Sequence, residues 1–202
     1  MKFSRKDLLF SVITGFTTGV IAWRILIFLG KPELWGVSTT WLLIIIPILW
    51  IIGVNLGYFL GRWMPFFNQF GKFTAIGFTN FSVYAGVLNL LIAFTGITAG
   101  IWYSVFAAIA FTMGSVHSYI WNKYWVFESG VSGGGTSELG KFVSVAVVAG
   151  LLNVSTASFV VNIINPLFGI SPEGWANVGG IIGSAAALIF SFIGFKFLVF
   201  KK

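Results

Sequence analysis

The chain has 202 residues, 57% of them hydrophobic and 8% charged, with a formal charge of +7 and no cysteine. Soluble domains carry nearer a quarter charged residues, so this composition excludes a water-soluble globule, a disordered chain and a nucleic-acid-binding tail. Without cysteine there are no disulfides, thiolate nucleophiles or cysteine-held metals, and one histidine with five carboxylates offers little for another metal cage. The expectation is an all-α integral membrane protein with no metal, no cofactor, no catalytic residue and no nucleic-acid partner.

A bilayer core of roughly 30 Å takes about 20 apolar residues in a helix. Six stretches qualify: Leu8 to Leu29, Trp41 to Leu60, Phe73 to Thr95, Ile101 to Trp121, Phe142 to Ile164 and Trp175 to Phe195. They are continuously apolar and twice the length of a barrel strand, which predicts a polytopic bundle of six transmembrane helices. The first stretch is full length, lacks a small-residue cleavage site and is followed at once by another span, so it is expected to stay attached.

The connections alternate in charge. With six spans, Lys2, Arg5, Lys6, Arg62, Lys72, Lys123, Lys141, Lys196, Lys201 and Lys202 fall on one side, and only Lys31 lies in a loop on the other. That bias places both termini in the cytoplasm of a multi-pass protein, expected in the plasma membrane. Outer reversals are predicted at Lys31-Pro32-Glu33, at Thr95-Gly96-Ile97 and from Asn165-Pro166 to Ser171-Pro172-Glu173. Residues 128–140 read ESGVSGGGTSELG and suggest a flexible linker; the lysine and hydroxyl of a nucleotide-cradling loop are missing.

The chain resembles itself at a shift of 73 residues. Gly77 to Phe127 aligns with Gly150 to Phe200 without a gap, with 15 identities in 51 positions. The matches pair Asn80 with Asn153, Ser82 with Ser155, Asn89 with Asn162, Trp102 with Trp175, Ser118 with Ser191 and Lys123 with Lys196. Each copy holds two spans, an even number, so the last four spans are expected to be a parallel duplication of a two-helix unit. The domain reading is an N-terminal hairpin over residues 1–64 and a four-helix domain over 65–202, with repeats at 69–127 and 139–200. Gly15 and Gly19, then Gly53, Gly57 and Gly61, and later Gly179 and Gly183, are spaced four apart, as closely packed membrane helices require. A homo-oligomer interface is the other use of such glycines.

GKFTAIGFTN (Gly71 to Asn80), SYIWNKYWVF (Ser118 to Phe127) and the later echoes GKF (Gly140 to Phe142), GLLN (Gly150 to Asn153) and KFLVF (Lys196 to Phe200) resemble the GtrA-like membrane proteins. The resemblance covers about residues 69–202 and leaves the first two spans outside. It implies a role in cell-surface polysaccharide assembly, as a flippase-like translocase of polyprenyl-phosphate-linked sugars. Some members of that family carry an acidic residue where Tyr84 stands here, so a carboxylate used by those relatives is dispensed with or the task differs.

Polar groups inside a membrane are costly unless paired, and mark either a pathway or hydrogen bonds between helices. Asn80 lies eight residues beyond Lys72, about 12 Å inward along a helix. Asn80, Asn153, His117, Ser118 and Ser191 either line a hydrated, substrate-binding pocket or bridge helices. Asn89 with Ser82, and Asn162 with Ser155, share faces roughly opposite to Asn80, so one of the two polar faces is structural. Lys72, Lys123, Lys141 and Lys196 sit at the inner boundary, where they either snorkel or clamp a lipid phosphate. Arg24, near the outer end of the first span, either snorkels outward or meets an outer phosphate. His117 has no second metal ligand near it in sequence and reads as a hydrogen-bonded wall residue. Trp102, Trp121, Tyr124, Trp125 and Trp175 fall at span ends, as in an interfacial belt.

No acidic residue falls well inside a span, Asp7 being at the inner edge, so an ion-driven pump is disfavoured. The leading expectation is facilitated movement of a lipid-linked sugar. The alternative is a non-transporting membrane anchor or adaptor for a cytoplasmic glycosyltransferase, and a small-solute or drug exporter is weaker. An enzyme is not expected, for want of a nucleophile with a base.

Overall fold

In the computed structural model, residues 2–126 and 135–194 are described; Lys196, Lys201 and Lys202 and the first part of the glycine-serine segment lie outside them. The described residues form six long helices: α1 (Arg5–Phe28), α2 (Leu42–Leu60), α3 (Phe66–Thr95), α4 (Gly100–Trp121), α5 (Gly135–Ile163) and α6 (Pro172–Gly194). The fold is all-α apart from one small hairpin. The first five helices, α2 with the short turn before it and α4 with the turn after it, are long and apolar enough to cross a membrane.

Local chemistry sets the helix ends. Ser4 caps α1 in a reciprocal box with Asp7. At the other end, Gly30 takes φ +69°, its N–H donates to Ile27 and that of Lys31 to Leu26, and Pro32 stops the helix. The expected reversal at Lys31-Pro32-Glu33 opens into a two-stranded antiparallel hairpin, β1 (Glu33–Leu34) and β2 (Val37–Ser38), with Glu33 opposite Ser38. Its turn residues Trp35 and Gly36 both have positive φ, which matches the twist of paired strands.

Two boundaries differ from the sequence expectation. α3 starts at Phe66, seven residues early, because Pro65 presets a helical start and Phe66, Phe67 and Phe70 pack their rings together. α5 starts at Gly135, so the last six residues read as linker are helical; extending a formed helix costs far less than nucleating one.

The chain divides into two compact units. The first comprises Met1–Gly86 and Val116–Val131, the second Val87–Ser115 and Ser132–Lys202. In the first, α1 and α2 touch backbone to backbone: a Cβ on Gly15 would lie 2.6 Å from Pro47 Cα, and one on Gly19 would lie 2.6 Å from the Leu42 carbonyl oxygen. α2 meets α3 at Gly57, whose Cβ would lie 2.8 Å from the Phe67 carbonyl oxygen. Between membrane helices, close dispersion contact of this kind replaces the hydrophobic drive available in water. Val54, Tyr58, Ala75, Ile76, Trp125 and Val126 form the buried core of this unit. In the second unit α6 packs on α5 at Gly179 and Gly183; a Cβ on Gly183 would lie 2.6 Å from the Asn153 carbonyl oxygen.

Candidate functional site

In the first unit a buried charge sits where the sequence placed only an edge residue. The Asp7 carboxylate accepts from Lys72 Nζ at 2.8 Å and Trp125 Nε1 at 3.0 Å on Oδ1. On Oδ2 it accepts from Tyr58 OH at 3.0 Å, Ser4 N–H at 3.0 Å and Ser4 Oγ at 2.7 Å. Asp7 and Lys72 are both buried, at 2% and 5% exposure. A carboxylate has about four lone-pair positions, so five donors saturate it. Taking two ions out of water costs several kcal/mol each, and this ring of donors offsets that cost.

The turn after α4 makes the arrangement fit. Residues Asn122–Val126 form a π-helical turn, whose extra residue carries the Trp125 indole fully inside. Lys6 Nζ donates to the Tyr124 carbonyl at 3.0 Å. Trp125 is therefore a core donor and not part of an interfacial belt. Trp175 departs from the belt in the same way: it is buried, and its Nε1 donates to the carbonyls of Val160 and Ile164 at the end of α5. Trp102 and Tyr124 are exposed, as expected of a belt.

Further along α3, Asn80 Oδ1 lies 2.6 Å from His117 Nδ1. Both residues are only partly buried, on helices otherwise apolar enough for lipid. His117 also lies 6.0 Å from the Trp121 ring. Ser118, one residue on, accepts from Asn122 Nδ2 at 3.0 Å through Oγ and at 2.9 Å through its carbonyl, while the buried Asn122 Oδ1 has no hydrogen-bond partner among the described residues.

The second unit holds the other asparagines. Asn89 and Asn177 exchange side-chain amide bonds at 2.7 and 2.8 Å, a bidentate clasp. Asn162 Oδ1 accepts from the Gly100 N–H at 2.6 Å, satisfying one of the free donors at the start of α4. Asn153 is fully buried; its Nδ2 donates to Ser184 Oγ at 3.2 Å, and its Oδ1 has no hydrogen-bond partner among the described residues. Asparagines related by the 73-residue shift thus take different partners. Tyr103 OH donates at 2.9 Å to the carbonyl of Ala176, its own counterpart at that shift.

Of the predicted site residues, the structure joins Asn80 to His117, and Ser118 to Asn122. Asn153 is joined to Ser184, and Ser191 is partly buried on α6. Lys72 is ion-paired with Asp7, and Lys123 donates to the Tyr119 hydroxyl at 3.1 Å. Lys141 is exposed near the start of α5; Arg24 is exposed, its guanidinium 5.7 Å from the Trp23 ring centre. Lys196 lies outside the described residues. Tyr84 is buried and stacks on Phe81. Among the described residues, no three His, Asp or Glu side chains cluster as metal ligands. Asp7 is the residue that sequence reasoning missed, and Ser4 to Asp7, a serine three residues before an acid, was the signal available.

Residues 72–200 match the sequence model of a known family, the GtrA/DPMS transmembrane domain. No curated protein and no solved structure matches the chain.

Proposed function

Because the chain belongs to the GtrA/DPMS transmembrane-domain family, we propose that it handles lipid-linked sugars and moves a polyprenyl-phosphate-linked sugar between leaflets. The observation that carries this reading is the Asn80–His117 pair. It lies about 12 Å along α3 from Lys72, stays partly exposed, and offers hydrogen-bonding groups where the helix surface is otherwise apolar. A sugar-phosphate head passing this point exchanges water for amide and imidazole, while its polyprenyl tail remains in lipid. The lipid is moved with no covalent bond made or broken, and its consumption on the far side sets the direction. Proteoliposomes test this: they should expose a labelled polyprenyl-phosphate sugar faster than empty liposomes, and equal rates reject it.

The proposal includes six spans, α6 being the sixth, with both termini cytoplasmic in the plasma membrane. It also includes the parallel duplication. The contact of Tyr103 with Ala176, positions equivalent under the 73-residue shift, supports a pseudo-two-fold axis along the membrane normal, because residues on such an axis meet their own counterparts.

The anchor or adaptor reading has one observation in its favour. Asn89, Asn162 and Asn177 hydrogen-bond one another or the backbone, as in helices built to stay put. A stable glycosyltransferase partner, together with full function after Asn80→Leu, would select it.

A further inference from the structure

Ahead of the matched residues, on the N-terminal hairpin, lies a groove of about 730 Å³. Two cations, Lys2 and Arg62, line it together with the apolar Ile52, Leu56 and Phe59 and the amide of Asn55. Lys2, Arg62, Asn55, Ile52, Leu56 and Phe59 are all exposed. The Arg62 guanidinium is steadied 5.5 Å from the Phe59 ring centre. Nothing in the proposed transport reading uses these residues.

Asn55 is the informative member. Asparagine on the lipid-facing side of an apolar helix is costly without partners. Its Nδ2 donates to the Ile51 carbonyl at 2.9 Å, which leaves a second N–H and the amide oxygen for a ligand. Asn55 lies on α2 and Arg62 in the turn that follows it, and both line the groove. A ligand that fits has an anionic head for Lys2 and Arg62, a hydrogen-bonding group for the Asn55 amide, and a hydrocarbon chain along Ile52 and Leu56. A glycerophospholipid has that order of groups: phosphate, ester carbonyls, acyl chains. A polyprenyl phosphate has no polar group below its phosphate, and a free phosphate has no use for the wall.

We propose that this groove binds an anionic glycerophospholipid in the leaflet facing the N-terminus, with its phosphate between Lys2 and Arg62 and an ester carbonyl on the Asn55 amide. Native mass spectrometry of the full chain, released from micelles holding equal phosphatidylglycerol, phosphatidylcholine and farnesyl phosphate, reads the retained lipid. Phosphatidylglycerol should be retained in preference to both others. Retention should weaken roughly thirtyfold in the Lys2→Gln/Arg62→Gln double variant, each cation near a membrane surface contributing a similar share. Arg62→Lys should keep it, since the charge remains, and provides the comparison if the double variant does not fold. Asn55→Leu should weaken phosphatidylglycerol retention and leave farnesyl phosphate unchanged. Equal retention of phosphatidylcholine, preference for farnesyl phosphate, displacement by millimolar inorganic phosphate, or a protein dimer in place of bound lipid would each overturn the assignment.

Discussion

Lys72 Nζ lies 2.8 Å from Asp7 Oδ1, which ties a helix outside the matched residues to the first residue inside them. The N-terminal hairpin is thereby part of one buried polar cluster with α3 and the turn after α4. Lys72, which a phosphate clamp would employ, already has its counter-ion within the chain.

Removing one member of a buried ion pair leaves the other charge unpaired, at a cost of about 3–5 kcal/mol. Asp7→Asn should therefore lower stability by about that amount, read from equilibrium unfolding in detergent. The Asp7→Leu/Lys72→Met double variant should lose clearly less than the sum of its single substitutions, since no orphan charge remains. Additive losses would show that the pair is not coupled.

The glycines separate into two kinds. Among the described residues a Cβ on Gly53 meets nothing within 4 Å, whereas one on Gly57 would run into the α3 backbone. Gly53→Ala should change stability by no more than about 0.5 kcal/mol, and Gly57→Ala should cost about 1–3 kcal/mol by overpacking. Unfolding followed by circular dichroism distinguishes them.

Asn89 and Asn177 should behave as a structural clasp. Either single change to leucine leaves the other amide without its partner and should cost about 1–3 kcal/mol, while the double change should recover part of that loss, because neither amide is then left facing an apolar side chain. A double variant as unstable as both singles together would assign the pair another role.

Topology can be read from single cysteines, since the chain has none of its own. Cysteines replacing Lys2 and Lys141 should react with an impermeant maleimide from one side of the membrane, and one replacing Trp35 from the other. Labelling of all three from one side would contradict the six-span arrangement.

The spans were legible because lipid demands long uninterrupted apolar runs, and five of the six stretches end within a few residues of a helix that meets that demand. Glycine spacing likewise foretold the close approaches at Gly15, Gly19, Gly57, Gly179 and Gly183. What stayed hidden depended on partners distant in sequence. Asp7 and Trp125 are 118 residues apart, and hydropathy puts each at a span end, where it looks like a solvated charge and a belt aromatic. Only packing shows that they complete each other. Asn80 with His117, and Asn89 with Asn177, were visible as polar residues, but which of them is held in a clasp and which is left partly exposed follows from three-dimensional pairing.

The most direct test compares initial rates at which a fluorescent polyprenyl-phosphate sugar becomes exposed in liposomes holding equal amounts of wild-type protein, Asn80→Leu or Asn55→Leu. Wild type and Asn55→Leu should run well above protein-free liposomes, and Asn80→Leu should fall at least about tenfold, the loss of roughly one hydrogen-bonding contact to the passing head. A wild-type rate no greater than that of protein-free liposomes, or an Asn80→Leu rate equal to wild type, would contradict movement of the lipid past Asn80.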